Sequence, residues 1–301
     1  PIYDAAGAIA NWADAEWTVE TGWRYMFGSE CVPAGLFTFL IFFVPETPRY
    51  LVMVGQEEKA YGILSRINGS NKAHEIIQDI KNTVTVKTEK LFSYGFMCIF
   101  VGVMLSVFQQ AVGINAVLYY APRIFQDMGM SNPMVQTVIM GIVNISFTLV
   151  AVFYVEKLGR KPLLIFGSIG MAIGALGVAL TFGNPSLGTL TILSIMVYSA
   201  SFMFSWGPIA WVLIAELFPN TIRGAAVAIA VAFQWIFNFI VSSTFVPLFN
   251  MHLVEGDDFG HWFTYGLYGA ICICAALFVW KLVPETKGKS LEDMSKLWRK
   301  E

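Results

Sequence analysis

Seven long apolar runs alternate with shorter polar segments along the chain. The runs lie at about residues 24–44, 94–121, 133–155, 162–182, 188–214, 224–249 and 262–280. Each run reaches or nearly reaches the about 20 apolar residues that a helix needs to cross a bilayer. The apolar positions are continuous, whereas strands of a membrane β-barrel alternate apolar and polar residues. The pattern therefore predicts an all-α membrane protein, a helical bundle embedded in a lipid bilayer.

Residues 55–90 form a long polar insert after the first run. Pro45 and Pro48 precede it and predict an abrupt end to the first helix. Apolar residues then recur in the insert at helical spacing. They are Ala60, Ile63, Leu64, Ile67, Ile76, Ile77 and Ile80. This spacing predicts two or three short amphipathic helices on the cytoplasmic face, either as a solvated linker or as a latch on the bundle.

The basic residues divide unevenly between the two sides of the predicted bundle. If successive runs cross the membrane in alternate directions, 17 of the 19 Lys and Arg residues lie on one side, and Arg24 and Arg123 lie on the other. Cytoplasmic loops of membrane proteins carry such an excess, which predicts a cytoplasmic insert and tail. The charged fraction of 13% is about half that of soluble domains. The basic residues form no stripe, so we expect no nucleic-acid partner.

Cofactor and enzyme chemistry leave no recognisable pattern in the sequence. The four cysteines all lie in apolar runs and form no C-x-x-C pair, so we expect them to be packing residues. The three histidines are widely separated, which argues against a metal site. The sequence contains no recognisable nucleophile–base pair or pair of catalytic carboxylates. We therefore expect neither an enzyme nor a cofactor.

Amide side chains and helix-breaking residues occur at membrane depth in two of the runs. In the run 94–121, Gly113 permits local unwinding, and polar residues surround it. They are Gln109, Gln110 and Asn115, with Tyr119 and Tyr120 following. In the run 188–214, the segment 205–208 (SWGP) predicts a kink or break, and Trp211 follows it.

A third polar site lies in the run 224–249. Gln234 and Asn238 are four residues apart and share a helix face, next to Trp235. Such amides either bond neighbouring helices to each other or line a pathway. Amides offer paired donors and acceptors, and indole rings offer flat faces to C–H groups. Because these runs carry no charged residue near their middle, such a lining suits a neutral polyhydroxylated solute.

Several short motifs resemble those of the sugar-porter branch of the major facilitator superfamily. They are PETPR at 45–49, QQAVGIN at 109–115, YY at 119–120, EKLGRK at 156–161, WGP at 206–208, ELFPNTIRG at 216–224 and PETKG at 284–288. The motifs occur in the family's order from about residue 22 onward. The resemblance implies the carboxyl-terminal six-helix half of a twelve-helix fold, with one preceding span and a cytoplasmic insert, in the bacterial inner membrane.

The resemblance also implies a substrate and the residues that bind it. The expected sugar contacts are Gln109, Gln110, Asn115, Trp211 and Gln234, with Tyr119, Phe202, Gly207 and Trp235 lining the same cavity. The implied substrate is a neutral monosaccharide, with D-xylose favoured, carried with protons by alternating access. A facilitative uniporter, a transporter-like sugar sensor and a non-functional truncated fragment are the alternatives.

Acidic and basic residues at the predicted cytoplasmic ends form a second set of candidates. Glu156 with Arg160, and Glu216 with Arg223, are either ordinary interfacial charges or, as the resemblance implies, the salt bridges of a cytoplasmic gate. Glu30 lies about six residues, roughly 9 Å, into the first span. It is either an interfacial glutamate or a partner of a proton-carrying acid in the half that this chain lacks.

Five parts make up the predicted organisation. They are an extracytoplasmic segment at 1–23, a span at 24–44, a cytoplasmic helical insert at 45–90, a six-helix transmembrane half at 91–283 and a cytoplasmic tail at 284–301. Because the chain begins at Pro1 rather than Met, we expect it to be a piece of a longer protein.

Overall fold

The computed structural model describes residues 21–84, 89–127, 133–252, 259–289 and 291–298. Every regular element in these ranges is helical, which confirms the predicted all-α class. The chain forms two compact units, residues 1–87 and 88–301. Most of the predicted segment 1–23, and parts of the connections that follow the runs 94–121 and 224–249, lie outside the described residues.

Within the described residues, the first unit contains five helices. They are α1 (Trp23–Ser29), α2 (Cys31–Ile41), α3 (Pro48–Met53), α4 (Glu57–Asn68) and α5 (Ser70–Val84). Glu30 joins α1 to α2 with helical backbone angles, φ −66° and ψ −23°. The apolar stretch Phe27–Ile41 is shorter than the six helices described below. A membrane span at 24–44 therefore stays a prediction.

The predicted amphipathic helices of the insert are present as α4 and α5. With α3, they enclose a small hydrophobic core. It contains Leu51, Val52, Ala60, Leu64, Ala73 and Ile77. A salt bridge of 2.7 Å between Lys81 Nζ and Glu57 Oε2 also joins α5 to α4. Ile67 departs from the predicted apolar stripe because it lies in the last turn of α4, where its side chain is exposed.

The second unit is the helical bundle. Its helices are α6 (Phe96–Ala111), α7 (Ile114–Asp127), α8 (Pro133–Leu158), α9 (Arg160–Thr181), α10 (Gly188–Phe204), α11 (Trp206–Leu217), α12 (Arg223–Phe249), α13 (Phe259–Leu282) and α14 (Leu291–Trp298). Within the described residues, six segments are long and apolar enough to cross a membrane. They are Phe96–Pro122, Val135–Leu158, Arg160–Thr181, Gly188–Leu217, Arg223–Phe249 and Phe259–Leu282, and they match the last six predicted runs.

Two of these six segments are broken near the positions that the sequence predicts. Between α6 and α7, Gly113 adopts φ +87°, a backbone conformation that strongly favours glycine. Between α10 and α11, Ser205 leaves helical geometry with φ −131° and ψ −87°. Pro208 then lies in the first turn of α11, where the N–H that proline lacks has no partner within the helix. Both breaks are therefore encoded by local sequence.

A face of α9 that carries four glycines packs closely against α10. At Gly174, an added Cβ atom would lie 2.6 Å from Tyr198 N. Gly167, Gly170 and Gly177 also face serine side chains at close range. Small residues allow helix backbones to approach one another where lipid supplies no hydrophobic drive for association. The α9–α10 pair is thus part of the scaffold that carries the broken helices.

Candidate functional site

A cavity of about 220 Å³ lies among α6, α7, α11 and α12. Eight side chains line it. They are Gln109, Gln110, Asn115, Tyr119, Trp211, Gln234, Trp235 and Asn238. Seven of them are among the nine residues that the sequence analysis expects to bind or surround a sugar. The structure therefore brings together three polar sites that lie far apart in the sequence.

The carboxamides of the cavity form a continuous hydrogen-bond network. Gln109 Oε1 accepts bonds from Gln110 Nε2 at 2.5 Å and from Gln234 Nε2 at 2.8 Å. Gln110 Oε1 accepts bonds from Asn115 Nδ2 at 2.6 Å and from Asn238 Nδ2 at 3.1 Å. These bonds join α6 to α7 and α12. The amides therefore bond neighbouring helices to each other, and the same amides line the cavity.

The network leaves hydrogen-bonding capacity unused. Gln234 Oε1 is buried and has no hydrogen-bond partner among the described residues. Gln109 accepts its bonds from Gln110 and Gln234 with its carbonyl oxygen. The two N–H donors of its NH₂ group are not used in these bonds. Buried polar atoms are nearly always satisfied in native proteins. This cavity therefore suits a ligand that both donates and accepts hydrogen bonds.

Aromatic faces complete the lining. Tyr119, Trp211 and Trp235 are 60%, 45% and 64% exposed, so much of each ring is accessible in this chain. Trp206, in contrast, is fully buried and donates its indole N–H to Ser168 Oγ at 2.7 Å. None of the eight lining residues is Lys, Arg, Asp or Glu. The lining thus combines amides and aromatic faces without a formal charge.

Two expected residues, Phe202 and Gly207, lie at the α10–α11 break and outside the eight lining residues. Phe202 is 5% exposed. An added Cβ atom at Gly207 would lie 3.4 Å from Phe202 Cε1, so the two residues pack together. Their role in sugar binding stays a prediction. Asn238 is the lining residue missing from the expected set, although its spacing from Gln234 had signalled a shared face.

A charged cluster lies where the ends of α8, α9 and α11 meet. Arg160 Nη2 lies 2.8 Å from Glu156 Oε1 and 2.8 Å from Glu216 Oε1. Arg160 Nε adds a bond of 3.1 Å to Glu216 Oε2, and Nη1 adds one of 3.2 Å to Glu156 Oε2. The Arg160 side chain is only 7% exposed. One guanidinium therefore binds both carboxylates in bidentate fashion, the strongest geometry for such pairs.

The sequence-based pairing of Glu216 with Arg223 is wrong. Glu216 pairs with Arg160, whereas Arg223 donates from Nε and Nη2 to the Phe218 carbonyl at 3.1 and 3.0 Å. Phe218 follows the last residue of α11, where helix carbonyls lack partners within the helix. Arg223, at the start of α12, thus caps the end of α11.

Glu285, which sequence reasoning did not include among the site residues, belongs to the same cluster. Its two carboxylate oxygens accept the backbone N–H groups of Arg160 and Lys161, both at 3.0 Å. Next to it, Thr286 Oγ1 donates to Glu216 Oε2 at 2.6 Å. The residue before α9 is a glycine without a capping side chain, so Glu285 caps this helix from a distant segment. The PETKG motif at 284–288 was the available signal.

Glu30 lies in the first unit, where its side chain is exposed. Its role in proton coupling stays a prediction.

Comparison with known proteins identifies the family of this chain. The "Sugar (and other) transporter" family model matches residues 6–298. A D-xylose-proton symporter of Escherichia coli K12 is 47% identical over 305 residues, covering 100% of this chain and 62% of the symporter. A glucose facilitated diffusion protein of Zymomonas mobilis is 38% identical over 297 residues, covering 97% of this chain and 63% of that protein.

A solved structure gives the same result at the level of the fold. The major facilitator proton:xylose symporter bound to 6-bromo-6-deoxy-D-glucose is 47% identical and aligns with a TM-score of 0.83. The alignment covers 98% of this chain and 63% of that chain. The chain thus spans slightly less than two thirds of the length of the relatives it matches. It is a multi-pass membrane protein that belongs to the sugar transporter family of the major facilitator superfamily, a family of transporters rather than enzymes.

Proposed function

We propose that this chain forms the carboxyl-terminal half of a carrier for a neutral monosaccharide, which binds in the cavity lined by the five amide residues and three aromatic rings. The observation that carries the proposal is the amide network around Gln109 and Gln110, with spare capacity at Gln234 Oε1. Sugar hydroxyls both donate and accept hydrogen bonds, which is the capacity that the network leaves unused.

D-xylose is the favoured substrate because the D-xylose-proton symporter is 47% identical to this chain along its whole length. A pentose presents hydroxyls to the amides and C–H groups to the faces of Trp211 and Trp235. The cavity of about 220 Å³ is smaller than the about 300–1,000 Å³ typical of drug-sized ligands. Such a size suits one sugar ring that a second half of the carrier would cover from its open side.

The cluster around Arg160 is proposed to act as a cytoplasmic gate. It joins the ends of α8, α9 and α11 through Glu156 and Glu216. In alternating access, the halves of a carrier rock around a central site, and one end opens as the other closes. Holding these helix ends together would favour the state closed to the cytoplasm. Inward opening would separate Arg160 from Glu216.

Proton symport is proposed as the driving mechanism, with the principal coupling acid outside this chain. The cavity lining carries no acid, and Glu30 is proposed to contribute to coupling as a partner of that acid. A facilitative uniporter is the second candidate, because a glucose facilitated diffusion protein is 38% identical over nearly the whole chain.

Vesicles containing the longer protein that carries this chain test the proposal. External D-xylose is expected to enter and to raise the external pH as protons follow it inward. Saturable sugar entry without a pH change would instead support the uniporter. A protein that moves neither D-xylose nor any other neutral monosaccharide would contradict the proposed function. For substitutions of the cavity glutamines, Gln78→Ala serves as the matched control, because Gln78 is an exposed glutamine of the first unit.

A further inference from the structure

Two buried tyrosines contact the break between α6 and α7. Tyr198 comes from α10 and Tyr268 from α13; they are 1% and 3% exposed. Neither tyrosine is a lining residue of the cavity. Their position suggests that they act on the cavity through the break.

The Tyr198 hydroxyl donates a hydrogen bond to the Val112 carbonyl. Val112 directly follows the last residue of α6 as its C-cap, and it is 0% exposed. In an unbroken helix, the N–H four residues later would donate to this carbonyl. A buried carbonyl without a donor is costly, above all at membrane depth. Tyr198 therefore supplies, from another helix, the bond that the break removes.

The Tyr268 ring contacts the other residue of the break. A Cβ atom at Gly113 would lie 2.6–2.7 Å from three ring carbons of Tyr268, which leaves no room for a side chain. The Tyr268 hydroxyl has no hydrogen-bond partner among the described residues. The contact of Tyr268 with the break is therefore made by its ring, whereas that of Tyr198 is made by its hydroxyl.

We propose that Tyr198 is a positioning residue for sugar recognition, with the Tyr268 ring as its support. Gln110 lies two residues before Val112, and Asn115 lies three residues after it. The 2.6 Å bond between these two amides thus depends on the direction in which α7 leaves α6. By fixing the Val112 carbonyl, Tyr198 sets that direction and places both amides at the cavity. This inference rests on the proposed function.

The chain offers a matched pair of variants to test it. Tyr198→Phe and Tyr268→Phe each delete one buried phenolic oxygen and keep the ring, but the first also removes a hydrogen bond to the break. In the longer protein, Tyr198→Phe is expected to raise the KM for D-xylose about three- to tenfold, the effect of one lost hydrogen bond. Tyr268→Phe is expected to change KM less than about twofold, because its hydroxyl has no partner to lose.

Melting temperature and Vmax, measured on the same samples, separate positioning from stability. A Tyr198→Phe variant that melts lower or transports more slowly with an unchanged KM would overturn the inference, as would equal KM values for the two variants. If Tyr198→Phe does not fold, Tyr268→Leu takes its place: loss of the ring over Gly113 should raise KM, and an unchanged KM would refute the positioning role.

A wild type that binds no monosaccharide would contradict both the proposed function and this inference. A wild type that binds sugar, together with equal KM values for the two variants, would contradict this inference alone.

Discussion

The two polar clusters of the bundle differ in charge and in how fully their hydrogen bonds are used. The cavity cluster consists of amides in the middle of spanning segments, and Gln234 Oε1 stays without a partner among the described residues. The end cluster consists of charged groups, and all three guanidinium nitrogens of Arg160 bind carboxylate oxygens. A charged side chain is expensive at the bilayer centre. Neutral amides can therefore bind a solute at depth, whereas ionic pairs are better placed at the ends.

This contrast separates two kinds of function. A site that must bind and release a neutral solute needs unused donors and acceptors. A site that must hold helix ends together in one state needs strong bonds that are satisfied in that state. The variants below should affect sugar binding when they change the first cluster, and the inward–outward equilibrium when they change the second.

The largest effect is expected for Gln110→Ala. Gln110 Oε1 is the shared acceptor for Asn115 and Asn238, so its removal both deletes a ligand group and frees two neighbours. We expect D-xylose affinity to fall at least about tenfold, as for loss of a buried hydrogen-bonding group. Isothermal titration on the longer protein measures this, with Gln78→Ala as the matched control. Equal D-xylose affinity in the two variants would contradict the proposal that this cavity binds the sugar.

The next largest effect is expected for Arg160→Ala, acting on conformation instead of binding. It leaves Glu156 and Glu216 close together without the shared cation, which disfavours the closed end. We expect the inward-open population to rise about tenfold, a value reduced from that of fully buried pairs because Glu216 is 30% exposed.

The inward-open population is measured by the rate at which a cysteine placed on the cytoplasmic side of the sugar cavity is labelled. Arg66→Ala is the control, because Arg66 is an exposed arginine of α4. Labelling that rises equally in the two variants would show that the cluster does not act as a gate.

A smaller shift is expected for Arg223→Ala. Arg223 bonds the Phe218 carbonyl, so its loss weakens the cap of α11 without breaking the Arg160–Glu216 pair. We expect about a threefold change in the same labelling assay, because the lost bonds cap one helix end and do not join two helix ends as the Arg160–Glu216 pair does. A shift as large as that of Arg160→Ala would favour the pairing with Glu216 that the sequence suggested.

The smallest effect is expected for Glu156→Gln. The Glu156 side chain is 70% exposed, and exposed ion pairs contribute little. The inward-open population should change less than about twofold, whereas Glu216→Gln should change it more. A larger effect of Glu156→Gln than of Glu216→Gln in the labelling assay would mean that the exposed Arg160–Glu156 pair, and not the partly buried Arg160–Glu216 pair, keeps the gate closed.

Local features of the sequence predicted much of this structure. Gly113 and the segment 205–208 marked both helix breaks. These signals are local because backbone freedom and helical spacing are set by a few neighbouring residues. Seven of the nine expected cavity residues line the cavity for the same reason, since they lie beside those breaks or on one helix face.

Contacts between distant segments could not be predicted in the same way. The partner of Glu216 lies 56 residues away, and Glu285 caps a helix that begins 125 residues before it. Such pairings depend on how each helix is rotated in the packed bundle, which a single sequence does not specify. Phe202 is a further example, because packing against Gly207 buries its ring outside the cavity lining.

A structure of the longer protein with D-xylose bound shows directly whether the amide-lined cavity is the sugar-binding site. We expect one sugar in the cavity, with hydroxyls within hydrogen-bond distance of the Gln109 and Gln234 amides and a ring face against Trp211. A sugar bound elsewhere, or a cavity closed by the amides bonding only one another while D-xylose is still transported, would contradict it.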